Sequence, residues 1–124
     1  MSKFSLDLNG IKEFQQNREP YLMIDYVDEV IPGKSSKGYK NLTLNEWFFP
    51  KHYPDNPNYP GALQIESLAQ MLTVAITTLP GNKGKETLFV SVRAEIQNAV
   101  LHVVYGSSTG ISFLLEWNKK ILCP

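Results

Sequence analysis

Charge imbalance, paired cysteines and long apolar runs are all missing from this chain, and each absence removes a class of function. Twelve basic and twelve acidic residues leave no formal net charge, which argues against a nucleic-acid binder that depends on overall electrostatics. The single cysteine, Cys123, has no partner for an internal disulfide, and there are only two histidines. A structural zinc site is therefore not expected, and the chain reads as cytoplasmic. No apolar run approaches the roughly 20 residues of a membrane span, and MSKFSLDLNG has no apolar core of signal-peptide length. Repeats and low-complexity segments are absent as well. At 124 residues with 43% apolar content, the expectation is one domain, 1–124, with a real core and no membrane span.

The most informative stretch runs from Phe48 to Gln70. Pro50, Pro54, Pro57 and Pro60 each fix φ and remove a donor, so the segment is expected to be an extended, stiffened loop that holds His52 in place. At Pro60-Gly61 the pattern changes to Leu63, Ile65, Leu68, Met71, Leu72, Val74, Ala75 and Ile76, which describes a helix buried all round. The Met71, Leu72 and Ile76 stripe belongs to the core. Glu66 sits inside this helix, where a carboxylate is costly to ionise unless paired.

The flanking segments supply a scaffold. Residues 8–16 read as a short helix with Ile11 and Phe14 on one face and Asn9 as its cap. Tyr21 to Ile31 is rich in β-branched and aromatic residues and reads as a strand; Pro32-Gly33-Lys34 turns it into a second, Ser36 to Leu44. Pro80 to Lys85 is a breaker, in which Lys83 and Lys85 are solvated loop residues. Strands then follow at Thr87 to Ile96, Val100 to Tyr105 and Ile111 to Trp117, with Gly106 to Gly110 as a turn and His102 structural. One long buried helix with about five antiparallel strands implies an α+β fold, a curved sheet wrapped around the helix.

His52 and Glu66 are fourteen positions apart, so one compact site can hold both. Burial beside Leu63 and Leu68 favours a neutral, proton-donating Glu66, while a neutral His52 serves as acceptor. Gly61, at the positive end of the helix dipole and without a side chain, offers a backbone N–H to a developing oxyanion. Gln70 lies one turn beyond Glu66 and is placed to orient its carboxyl. From spacing alone the bland reading also stands, with a solvated loop histidine and a structural carboxyl.

These residues fall within a longer set: Arg18-Glu-Pro-Tyr-Leu-Met-Ile-Asp25, Pro32-Gly33-Lys34, Lys40-Asn41-Leu-Thr43-Leu-Asn45-Glu46, Phe48-Phe49, His52-Tyr-Pro54, Pro57, Pro60-Gly61 and Ile65-Glu66-Ser-Leu-Ala69-Gln70. In order and spacing the set resembles the 3-hydroxyacyl-acyl-carrier-protein dehydratases of bacterial fatty-acid synthesis, the FabZ type, over roughly Ile11 to Leu72. The resemblance implies a hotdog fold, no metal or cofactor, and dimers in which the histidine of one chain faces the glutamate of the other, often as trimers of dimers. It makes His52 the catalytic histidine, Glu66 the catalytic glutamate, Gly61 the amide donor to the thioester carbonyl and Gln70 a supporting residue. Glutamate at 66 resembles the FabZ type; the isomerising FabA type has aspartate there.

Two departures accompany the resemblance. The family usually has glycine where this chain has Lys51. After Asn98 it continues through a Pro-Gly-Asp turn into two long strands, whereas from about Ala99 this chain follows a different pattern and ends early. Either shorter strands complete the sheet or the natural C-terminus has been altered or truncated. The expected activity is dehydration of a 3-hydroxyacyl thioester on acyl carrier protein to the trans-2-enoyl thioester. A hotdog acyl-thioesterase and a non-catalytic acyl-binding or assembly subunit are the alternatives. An acidic carrier protein would meet local positive charge, with Lys51, Lys83, Lys85 and Arg93 as candidates.

Overall fold

In chain order the elements are β1 (Phe4–Leu6), α1 (Leu8–Phe14), β2 (Tyr26–Ile31), β3 (Ser35–Tyr39), a 3-10 turn (Phe49–Lys51), α2 (Gly61–Thr77), β4 (Val92–Gln97), β5 (Val100–Tyr105) and β6 (Ser112–Glu116). They come from a computed structural model that describes residues 3–42, 45–55 and 59–86 in full, and 92–97, 100–105 and 112–116 as backbone. β1, β2 and β3 form one antiparallel sheet, and β4, β5 and β6 form another. β6 lies alongside β3, and α2 packs against β2 and β3 from one sheet and β5 and β6 from the other. The α+β arrangement around one long helix is thus the expected one, with six strands described in place of about five.

Several boundaries differ from the sequence expectation. The three-residue β1 is too short to leave a periodic signal. Asp7, not Asn9, caps α1, its Oδ1 accepting the Gly10 N–H at 2.8 Å. The strand expected from Tyr21 begins only at Tyr26, because the preceding residues satisfy their backbone on a side chain. The Met23 N–H donates to Gln70 Oε1 at 2.7 Å, and the Tyr21 carbonyl accepts from Gln70 Nε2 at 2.8 Å. Leu22, Met23 and Ile24 are buried without belonging to a strand. β3 likewise stops at Tyr39, and the Asn41 N–H turns to Asp25 Oδ2 at 2.7 Å. Thr43, Leu44, the start of the strand expected at Thr87, the turn at Gly106 and Cys123 lie outside the described residues.

The core joins Leu68, Met71, Leu72, Val74 and Ala75 of α2 to Ile11, Leu22, Ile24, Val27 and Val30. Each fully buried leucine or methionine there contributes about 1.5–3 kcal/mol of hydrophobic stabilisation. The helix is mostly buried from Ser67 onward, with Thr73 and Ile76 half-buried, but not before: Gly61 and Ala62 are exposed, and Ile65 is 40% exposed. Burial on all sides was therefore only partly the right expectation.

Two glycines set how closely the layers approach. Gly33 adopts φ +72, in the left-handed region, and its N–H donates to the Ala75 carbonyl at 2.8 Å, docking the β2–β3 turn onto the end of α2. At Gly38 a Cβ would collide with the Tyr26 carbonyl oxygen and the end of Met71. Only glycine lets β3 pass between its neighbouring strand and the helix.

Candidate active site

The loop from Phe48 to Pro60, of which residues 56–58 with Pro57 lie outside the described residues, is anchored near its two ends by aromatic packing. Phe48 and Phe49 are buried with Leu42 and Tyr59, and Leu63 of α2 packs against them. Phe48 meets the Phe49 ring at 4.7 Å and the Tyr59 ring at 5.1 Å between centroids. One 3-10 turn, Phe49–Lys51, interrupts the extended course expected there. Pro50 is tolerated because the first residues of a helical turn need no donor. His52 ends the turn, with its N–H on the Phe49 carbonyl at 3.4 Å and its ring edge-on to Tyr53 at 4.6 Å. Its side chain is half-buried, and Lys51 beside it is exposed.

Tyr59 ties this loop to the first turns of α2. Its hydroxyl lies 2.6 Å from Ser67 Oγ and donates to the Leu63 carbonyl at 3.1 Å. Burial pushes the phenol well above its ordinary value, the Ser67 hydrogen bond opposes this, and the charges of Glu46, Asp25 and Glu66 add to the rise. Tyr59 is therefore a neutral hydrogen-bonding strut. Just beyond it, Gly61 opens α2 with its Cα face unobstructed to 4 Å. The first intrahelical bond is from the Gln64 N–H to the Pro60 carbonyl at 2.9 Å, so the Gly61 amide has no helical partner.

Glu66 is half-buried and not enclosed, which corrects the sequence expectation. Its Oε1 accepts from Gln70 Nε2 at 2.8 Å. Gln70 is 1% exposed, and its bonds to Met23 and Tyr21 define which end is amide and which is carbonyl. Glu66 is thus held through a side chain that two backbone groups hold in turn. It borders a cavity of about 450 Å³ whose lining includes Gln15, Asn17, Gln70, Thr73 and Lys85. His52 and Gly61 are not among the lining residues. The single chain therefore brings Glu66 and Gln70 together at this cavity, with His52 outside its lining.

The remaining singled-out residues have mixed placements. Lys83 is an exposed loop residue, as expected, and it also pairs with Glu13 at 3.3 Å and stands over the Phe14 ring at 5.2 Å. Lys85 donates to Asn82 Oδ1 at 2.9 Å. Arg93 and His102 fall on β4 and β5, where only the backbone is described. Among the described residues no three His, Cys, Asp or Glu side chains gather as a metal site, and no helix is long and apolar enough to cross a membrane. Residues whose importance spacing did not reveal are Tyr59, Ser67 and Lys40. The last is buried and contacts Asp25 at 3.7 Å and Glu46 at 3.5 Å.

Comparison with known proteins places this arrangement. Residues 16–103 match the FabA-like domain, and the chain belongs to that family, whose fold is the hotdog expected from the sequence. Among curated relatives, the 3-hydroxyacyl-acyl-carrier-protein dehydratase FabZ of Clostridium novyi (strain NT) is 48% identical over 83 residues, covering 64% of this chain and 58% of the relative. The FabZ of Natranaerobius thermophilus is 46% identical over 86 residues, covering 69% and 61%. That of Clostridium botulinum (strain Okra / Type B1) is 48% identical over 89 residues, covering 72% and 61%. The chain thus spans about three fifths of the length of these relatives.

Proposed function

We propose that this chain is a hydro-lyase that dehydrates a 3-hydroxyacyl thioester carried on acyl carrier protein, giving the trans-2-enoyl thioester and water in cytoplasmic fatty-acid synthesis. The observation that carries the reading is the Glu66 carboxyl, held through Oε1 by the backbone-anchored Gln70 at the edge of a cavity. Because Gln70 engages Oε1, Oε2 is left to face substrate. His52 takes the proton from C2, the Gly61 N–H polarises the thioester carbonyl, and protonated Glu66 gives its proton to the departing hydroxyl. The C2–H electron pair becomes the new double bond, and the C3–O bond breaks to release water.

The active form in this reading is a homodimer or a trimer of dimers, with His52 of one copy facing Glu66 of the other. Two features support it: the open first turns of α2, and the absence of His52 from the cavity that Glu66 borders. The whole of 1–124 then acts as one domain. Incubation with a 3-hydroxyacyl thioester, followed by enoyl absorbance and free-thiol release, tests the function. Enoyl product without thiol is expected; thiol without enoyl would make the chain a thioesterase, and tight binding with neither would make it a non-catalytic acyl-binding subunit.

A further inference from the structure

Lys40 is 6% exposed at the end of β3, and its ammonium lies 3.7 Å from Asp25 Oδ2 and 3.5 Å from Glu46 Oε1. An ammonium so far from water is retained only where it is paired, since the desolvation penalty is several kcal/mol. Its two partners come from different places. Asp25 precedes β2, is bonded through its N–H to the Tyr39 carbonyl at 2.9 Å, and accepts the Asn41 N–H at 2.7 Å. It is thus tied by two backbone bonds to the end of β3. Glu46 belongs to the connection that leaves the sheet and feeds the 3-10 turn. Its carbonyl accepts the Phe49 N–H at 3.3 Å, and the Phe49 carbonyl in turn accepts the His52 N–H at 3.4 Å.

A continuous series of contacts therefore runs from the sheet through Asp25, Lys40, Glu46 and Phe49 to His52. Pro50, inside the last step, stiffens it by fixing φ. The apolar anchor of Phe48, Phe49 and Tyr59 fixes the depth of the loop, but aromatic packing alone is weakly directional. The charged contact sets the direction in which the chain enters the turn. We propose that Lys40 is a positioning residue that sets the orientation of His52, acting through Glu46 and never touching substrate. The inference rests on the dehydratase reading only for its turnover arm.

The experiment compares full-length Lys40→Met, Lys40→Arg and Glu46→Gln with the wild type, following dehydration kinetics and the His52 imidazole signals by NMR in the absence of substrate. Lys40→Met should lower kcat roughly 10–100-fold, the scale of a small displacement of a catalytic group, with KM changing by less than about 3-fold. Its His52 signals should shift or broaden. Lys40→Arg keeps the charge and should recover most of the turnover and the wild-type signals. Glu46→Gln leaves Lys40 paired with Asp25, so it tests the contact even if Lys40→Met does not fold. The double variant should be no slower than Lys40→Met, because the two residues act as one unit. Unchanged kcat and unchanged His52 signals in folded Lys40→Met, or in Glu46→Gln should Lys40→Met not fold, would overturn the proposal. If the wild type itself does not dehydrate, the functional reading fails, and the NMR comparison still decides the positioning role.

Discussion

Gln70 donates to Glu66 Oε1 at 2.8 Å while its own carbonyl oxygen accepts the Met23 N–H at 2.7 Å, so a carboxyl on the helix is oriented by the backbone of a segment outside it. Replacing Gln70 with leucine keeps the volume but leaves the Met23 N–H unpaired in the interior and removes the partner of the part-buried Tyr21 carbonyl. The expected loss is about 1–3 kcal/mol, read as a lower urea midpoint at unchanged m value.

Glu66→Gln should behave in the opposite way. The side chain is half-buried and keeps a hydrogen-bonding group, so stability should change by less than about 1 kcal/mol. Turnover should fall roughly 10²–10⁴-fold, as for loss of a general acid. Full activity in this variant would remove Glu66 from the mechanism.

Shared sites can be tested by mixing. His52→Ala and Glu66→Ala proteins should each be inactive, and after subunit exchange the mixture should regain part of the wild-type rate from hybrid dimers with one intact site. Exchange proven by mass spectrometry without recovered activity would mean that His52 and Glu66 do not work across a dimer.

Tyr59 gives a prediction in alkali. Its phenol is held above the ordinary value near 10 in the folded chain, whereas the unfolded chain ionises there. Above pH 10 the unfolded state binds fewer protons, so folding loses stability at about 1.4 kcal/mol per pH unit from this group. Below pH 10 that contribution is fully present. Tyr59→Phe should cost about 1 kcal/mol at neutral pH through the lost Ser67 and Leu63 contacts. The two stability curves should converge as pH rises past 10 in denaturant titrations, and parallel curves would contradict the assignment.

Gly38→Ala tests the layer spacing. A methyl there meets the Tyr26 carbonyl and the Met71 side chain, and overpacking of this kind costs about 1–3 kcal/mol or more. The melting temperature should fall accordingly. Gly61→Ala, where no atom lies within 4 Å of the added carbon, is the control.

Much of this architecture was legible in the residues because it depends on local rules. The prolines of the loop allow no more than the 3-10 turn at Phe49–Lys51 among its described residues, and the apolar pattern after Gly61 requires a long helix, which runs to Thr77. β5 falls at Val100–Tyr105, as β-formers in a row predict. The ordered motifs around His52 and Glu66 also carried the family resemblance that the match over residues 16–103 bears out.

Other features depend on contacts between distant residues, and only folding decided them. Met23 and Tyr21 meet Gln70 across 47 and 49 positions, which turned the start of an expected strand into a loop pinned by an amide. Asp25, Lys40 and Glu46 carry no shared periodicity, yet the end of β3 brings them within ion-pairing distance. The half-buried state of Glu66 also had a tertiary cause. Apolar periodicity reports what a helix is able to bury, while actual burial depends on what packs against it, and in this chain α2 is mostly buried only from Ser67 onward.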